Sequence, residues 1–188
     1  MKNLTSRLHL SNQAVFTSKE IALFWDEPNP NNLKNKINYY IRTGTLRSLR
    51  RGLYVLAGKS YSPFEVANRI YAPSYVSLET VLAQEGVIFQ FDERIYSLTY
   101  QTRELIVDGK KYIYRKISND ILTNPIGLKS WGSYWMASKE RAFLDSLHLD
   151  GQHHFDHLDN MDWGLCRKIL PIYHNNSLNK RFETYVKH

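Results

Sequence analysis

Residues 16–57 carry the signals that most narrow what this chain can fold into. Thr17 followed three residues later by Glu20 has the spacing of a capping box, in which each side chain bonds the other residue's backbone N–H. Phe16 before the cap and Ile21 after it are placed as a hydrophobic staple. Ala22, Phe24 and Trp25 continue an apolar face to residue 25, where Asp26-Glu27-Pro28-Asn29 breaks it. Asn29-Pro30 pairs a capping amide with a first-turn proline. A second helix is predicted over residues 30–43, stopped by Gly44 in a left-handed conformation. Residues 45–49 and 53–57 read as strands around an Arg50-Arg51-Gly52 turn, with Gly52 supplying a positive φ. Helix, break, helix, hairpin is the layout of a winged helix-turn-helix. A short helix over residues 4–10 is predicted to precede it.

The charge of the chain is concentrated in the same region. Residues 1–60 hold ten Lys and Arg against three acids (Glu20, Asp26 and Glu27), so they carry the whole net charge of +7. The remaining 128 residues are balanced at 15 of each sign. From Asn31 to Leu56 there are six basic residues and no acid. Such an asymmetry points to a localised polyanion contact.

The second helix sorts its residues by face. At 100° per residue, Leu33, Ile37, Tyr40 and Ile41 form one apolar stripe. Asn31, Asn35, Asn38, Tyr39 and Arg42 collect on the other side, with Lys34 and Lys36 on its shoulders. Asparagine lowers helix propensity, so a merely solvated face has better options. Its amide can pair bidentately with adenine and arginine with guanine, in a major groove about 12 Å wide that admits one helix. Lys34 and Lys36 then fall where phosphates lie. Arg47, Arg50 and Arg51 extend this surface along the hairpin, within reach of the backbone or a minor groove.

After residue 60 the pattern changes, and residues 59–63 read as a seam between residues 1–60 and a second domain, 61–188. Helices are predicted over 63–70 and 74–85, the second closed by Gly86. Tyr96, Leu98 and Tyr100 alternate with Ser97 and Thr99 as in a half-buried strand. Residues 104–117 read as a hairpin turning at Asp108-Gly109. Ser138 caps a predicted helix over 139–148, whose buried stripe is Ala142, Phe143, Leu144 and Leu147 and whose Asp145 reads as its polar side. Two further helices are predicted over 163–170 and 178–186. The fold class is α+β, a winged helix-turn-helix followed by a mixed α/β domain.

Other constellations are weaker. His153, His154 and His157 lie beside Asp150 and Asp156 without a His-Glu-x-x-His pattern, and read as a polar connector with no metal. Gly132-Ser133 lacks the paired carboxylates that nucleotidyl transfer needs. No phosphate-cradling glycine loop is present. Cys166, the lone cysteine, reads as a small buried residue. No cofactor and no enzymatic activity are expected. The first 13 residues do not read as a signal peptide and no apolar run reaches membrane-spanning length, so a cytoplasmic location is expected.

Three stretches resemble a known family, the AbiE-type abortive-infection antitoxins (AbiEi) of type IV toxin–antitoxin systems. Residues 50–54 (RRGLY) are similar to the family's wing. Residues 73–80 (PSYVSLET) through Gly86-Val87-Ile88 resemble its most distinctive stretch. Residues 137–145 (ASKERAFLD) resemble a later helix, with Lys139 where the family has proline. The likeness covers most of residues 5–150. It implies a repressor of its own operon that binds an inverted-repeat operator in double-stranded DNA. It also implies antagonism of a nucleotidyltransferase-type toxin, with or without direct contact. Two other readings remain: a plain regulator or interaction module that sequesters a partner, and a metal-dependent nucleic-acid enzyme built on residues 153–157.

Overall fold

The computed structural model describes residues 4–90, 92–151 and 154–186, and the protein is a mixed α+β structure. Helix α1 (Leu4–His9) and strand β1 (Val15–Thr17) come first. Helix α2 (Ser18–Trp25) starts at the predicted capping box: Glu20 N–H donates to Thr17 Oγ1 at 3.2 Å, and Thr17 N–H to Glu20 Oε2 at 2.8 Å. Phe16 and Ile21 are both fully buried. Helix α3 (Pro30–Arg42) starts where Asn29 Oδ1 accepts from the N–H groups of Asn31 and Asn32, at 2.9 and 3.2 Å. It ends as Gly44 turns to φ +73°.

Strands β2 (Leu46–Arg50) and β3 (Leu53–Leu56) form the hairpin, with a register shift between Ser48 and Arg50. Arg50 is the last strand residue rather than part of the turn. Strand β1, absent from the sequence-based expectation, pairs antiparallel with β3 and makes a three-stranded sheet in the order β1-β3-β2. Leu8, Phe16, Ile21, Trp25, Ile37, Leu46 and Leu56 form a small core beneath it.

Helix α4 (Pro63–Ile70), capped by Ser62, follows as predicted. The predicted helix over 74–85 is two elements instead. Strand β4 (Ser74–Val76) leads into helix α5 (Glu79–Gln84) through Leu78, which adopts φ +55° and ψ −140° and is fully buried. Strands β5 (Ile95–Thr99), β6 (Arg103–Val107) and β7 (Lys110–Lys116) come next, the last two joined by the Asp108-Gly109 turn with both φ values positive. Helix α6 (Asn119–Leu122) precedes strands β8 (Leu128–Ser130) and β9 (Trp135–Ala137). The six strands form one mixed sheet in the order β6-β7-β5-β4-β9-β8. β5 lies inside this sheet and all five of its residues are buried, so it is not the half-buried strand its alternation suggested.

Helix α7 (Lys139–Asp150) is followed by α8 (Trp163–Ile169), a 3-10 turn (Leu170–Tyr173) and α9 (Asn176–Val186). Its predicted stripe is fully buried, but so are Arg141 and Asp145. Asp145 is therefore not the polar side of an amphipathic helix. It accepts from Ser77 Oγ (2.8 Å), Tyr173 OH (2.6 Å), Tyr75 OH (3.2 Å) and Arg141 Nε (3.3 Å). These bonds tie β4, α7 and the C-terminal turn together.

The larger core takes Val15, Leu53 and Val55 from the first sheet as well as most buried residues after 61. Glu65 on α4 is buried and accepts from the N–H groups of Ala14 and Val15 at 2.8 and 2.9 Å. Among the described residues no helix is long and apolar enough to cross a membrane.

Candidate nucleic-acid interface

Helix α3 places its residues as the 100° wheel requires. Ile37 is buried and Leu33, Tyr40 and Ile41 are half-buried against the small core. Asn31, Lys34, Asn35, Asn38, Tyr39 and Arg42 are exposed. The side-chain amides of Asn31, Asn35 and Asn38 make no hydrogen bond within the described residues, and Lys34 and Arg42 make no ion pair there. Tyr39 keeps 54% of its surface and meets Tyr40 edge-on at 5.3 Å. A row of unengaged donors and acceptors stands on a helix whose other side is anchored.

Lys36 differs from its neighbours. Its Nζ lies 2.5 Å from Glu27 Oε2, across the break between α2 and α3. The Lys36 partner holds the Glu27 carboxyl below its ordinary range. Lys36 is thus half-covered and internally neutralised, unlike Lys34 one turn-edge away.

The hairpin carries Arg50 and Arg51, both exposed and free of ion pairs with described residues. Arg47 is placed otherwise. It lies opposite Val55, a residue of the larger core, while its neighbours Leu46 and Ser48 lie opposite Leu56 and Tyr54. Its guanidinium therefore faces the seam with the six-stranded sheet. There Nη1 donates to Asp108 Oδ1 at 2.9 Å and Nη2 to Asp108 Oδ2 at 3.2 Å. Nη2 also donates to Tyr61 OH at 3.1 Å, and Tyr61 OH donates to Asp108. Arg47 and Tyr61 hold the Asp108 carboxyl below its ordinary range. So α3 and the hairpin share one core, but the structure does not gather Arg47 with the α3 face.

Glu27, Tyr61 and Asp108 were not legible as partners of this surface. Asp108 stands 61 residues from Arg47, and its sequence context marks only a turn. Glu27 is nine residues from Lys36 and sits in a helix break, where no periodic rule links the two.

The remaining constellations are placed as follows. His153 lies outside the described residues. His154 Nε2 is 3.4 Å from Asp156 and His157 Nε2 is 3.8 Å from Asp159. No group of three or more metal-type side chains converges among the described residues. Glu140 and Asp145, the first acids after Gly132-Ser133, are both buried, Asp145 enclosed with Arg141. Cys166 is buried, and burial pushes its thiol up to about 12, which keeps it protonated and unreactive at neutral pH.

Comparison with protein-family models and with curated proteins finds no match to this chain.

Proposed function

We propose that this protein is a sequence-specific DNA-binding transcriptional autorepressor whose residues 1–60 act as a winged helix-turn-helix. The observation that carries the reading is the α3 face: three asparagines, a tyrosine and an arginine exposed side by side, their amides without partners among the described residues, on a helix whose apolar stripe packs on the small core behind them. Unpaired amides and guanidinium groups on a rigid helix are the groups that read base edges. Lys34 and the hairpin's Arg50 and Arg51 supply the cations that a phosphate backbone needs. The order α2, α3, β2, β3, with β1 closing a three-stranded sheet, supports the winged reading of this unit.

The resemblance to the AbiE-type antitoxins extends the proposal. In that reading the protein is the antitoxin of a type IV system, located in the cytoplasm, and it antagonises a nucleotidyltransferase-type toxin. An interaction role for the larger unit has its own support. The β8–β9 hairpin exposes Trp131 in its turn at 60% and Trp135 at the start of β9 at 47%, which are side chains that anchor protein contacts when covered.

The test is an electrophoretic shift on the DNA upstream of the reading frame and on a scrambled duplex of the same length, repeated across salt. The expected result is preference for the upstream fragment, with log K falling by about 0.9 per phosphate neutralised. Equal, salt-insensitive retention of both fragments, or of neither, would sink the DNA reading. Identifying a nucleotidyltransferase-type toxin in the adjacent reading frame, and growth rescue on co-expression with it, test the antitoxin role.

A further inference from the structure

We propose that Arg47, Asp108 and Tyr61 form a clasp that a duplex opens: Asp108 holds Arg47 in the free protein, and a backbone phosphate replaces Asp108 on DNA. The proposal rests on the DNA-binding reading and assigns that surface a means of regulation from the six-stranded sheet.

The geometry of the clasp leads there. Asp108 presents two oxygens to two nitrogens of the Arg47 fork, at 2.9 and 3.2 Å. A phosphate engages a guanidinium in this same bidentate way, so the carboxylate occupies the phosphate's place. Side-chain exposures of 49% for Arg47 and 41% for Asp108 leave both charges in contact with water. Exchanging one anion for another there leaves no charge buried and unpaired. Opening the clasp takes the Arg47 stem out of the seam, away from Asp108 and Tyr61, toward the duplex.

The position of Asp108 supports a role for its charge. It is the first residue of the β6–β7 turn, at φ +51°, followed by Gly109 at φ +77°. Asn-Gly serves that turn at least as well as Asp-Gly. The turn therefore does not require the carboxylate, and the contacts the carboxylate makes are to Arg47 and Tyr61. Tyr61 lies at the seam itself and bonds both charged partners, so the cluster joins β2, the linker and the β6–β7 turn at one point.

When closed, the clasp neutralises one cation of the hairpin and fastens the β6–β7 turn to β2. When open, it frees Arg47 for the backbone and releases the turn. Linkage makes the effect reciprocal: whatever grips the Asp108 turn favours DNA binding, and DNA loosens that turn by the same factor.

The test is a double-mutant cycle with Asp108→Asn, Arg47→Ala and the double variant. Each is titrated with the labelled upstream duplex and with its scrambled counterpart. Asp108→Asn retains the turn preference, and thermal melting checks that every variant is folded. The clasp predicts that Asp108→Asn tightens binding by up to about fivefold, the upper end for an exposed ion pair. The gain disappears when Arg47 is alanine. In the Asp108→Asn background, Arg47→Ala flattens the salt slope by about 0.9. An equal gain with and without Arg47 would mean simple removal of a repelling charge, and would overturn the clasp while leaving DNA binding intact. Weaker binding by Asp108→Asn would mean that the pair only positions the hairpin, and would also overturn it. Absence of binding by all four proteins would overturn both readings.

Discussion

Arg141 and Asp145 lie one turn apart on α7, with no side-chain surface in water and 3.3 Å between Nε and Oδ1. Burial pushes the Asp145 carboxyl up, while the Arg141 charge and hydrogen bonds from Tyr173, Ser77 and Tyr75 draw it back down. Arg141 also donates to the carbonyls of Ile126 and Ile121, both at 2.8 Å. Every arm of the pair is engaged, so removing one partner strands the other. Arg141→Met is expected to lower stability by about 3–5 kcal/mol, and Arg141→Met with Asp145→Leu to recover part of that loss. Urea unfolding followed by tryptophan fluorescence measures both. A double variant weaker than either single one would contradict this account.

His148 gives a pH signature. Its ring meets that of Tyr173 at 5.1 Å, tilted by 44°, and its Nδ1 lies 3.3 Å from Asn175 Nδ2. Burial lowers its pKa below 6.5; Asp145 opposes the shift and Arg181 adds to it. The folded state then binds a proton less readily than the unfolded chain. Stability is whole above about pH 6.5 and declines as the pH falls through that value and the lower folded one. Urea midpoints should drop between pH 7 and pH 5, and His148→Gln should remove much of that drop. The same slope in the variant would assign it elsewhere.

Gly127 is held at φ +74°, and a Cβ there would come within 2.7 Å of Ile169 Cδ1 and 3.0 Å of Arg141 Cβ. The φ alone costs about 1–2 kcal/mol for an L-residue, and overpacking against α7 and α8 adds to it. Gly127→Ala should therefore destabilise by about 2–4 kcal/mol, read as a fall in melting temperature. An unchanged melting temperature would show that Ile169 and the backbone yield without cost.

On α3, residue roles separate by specificity. Asn38→Ala or Arg42→Ala should cost about 1–3 kcal/mol at one base position and relax preference there. Lys34→Ala should weaken all sequences alike and reduce the salt slope. Binding to a panel of singly substituted duplexes distinguishes them. A lysine variant that alone loses specificity would reverse the assignment of roles.

The local parts of this fold were readable because short-range chemistry encodes them. Thr17 with Glu20, Asn29 with Pro30, and Gly44 place α2 and α3 to within a residue or two. Asp108-Gly109 places the β6–β7 turn. The misreading of residues 74–85 has a definite cause. Tyr75, Leu78 and Leu82 recur at helical spacing, and no Gly or Pro marks the break. The chain turns instead at Leu78, a residue that rarely takes φ +55°. Asp145 was misread for the complementary reason. Its donors Tyr75, Ser77 and Tyr173 come from 70, 68 and 28 residues away. The α3 face was legible from periodicity alone. The diversion of Arg47 to Asp108 was not, because a residue's strand face and its partner across a seam are tertiary facts.

Glu65 determines where the protein could be divided. Ala14 and Val15 each point an amide at its carboxylate, and Val15, Leu53 and Val55 lean on the structure that follows. A fragment cut at residue 60 would leave two dry amides orphaned and three apolar side chains wetted. Such a piece would be expected to clump rather than stand alone, so a usable minimal version of the basic unit has to keep its first downstream helix attached.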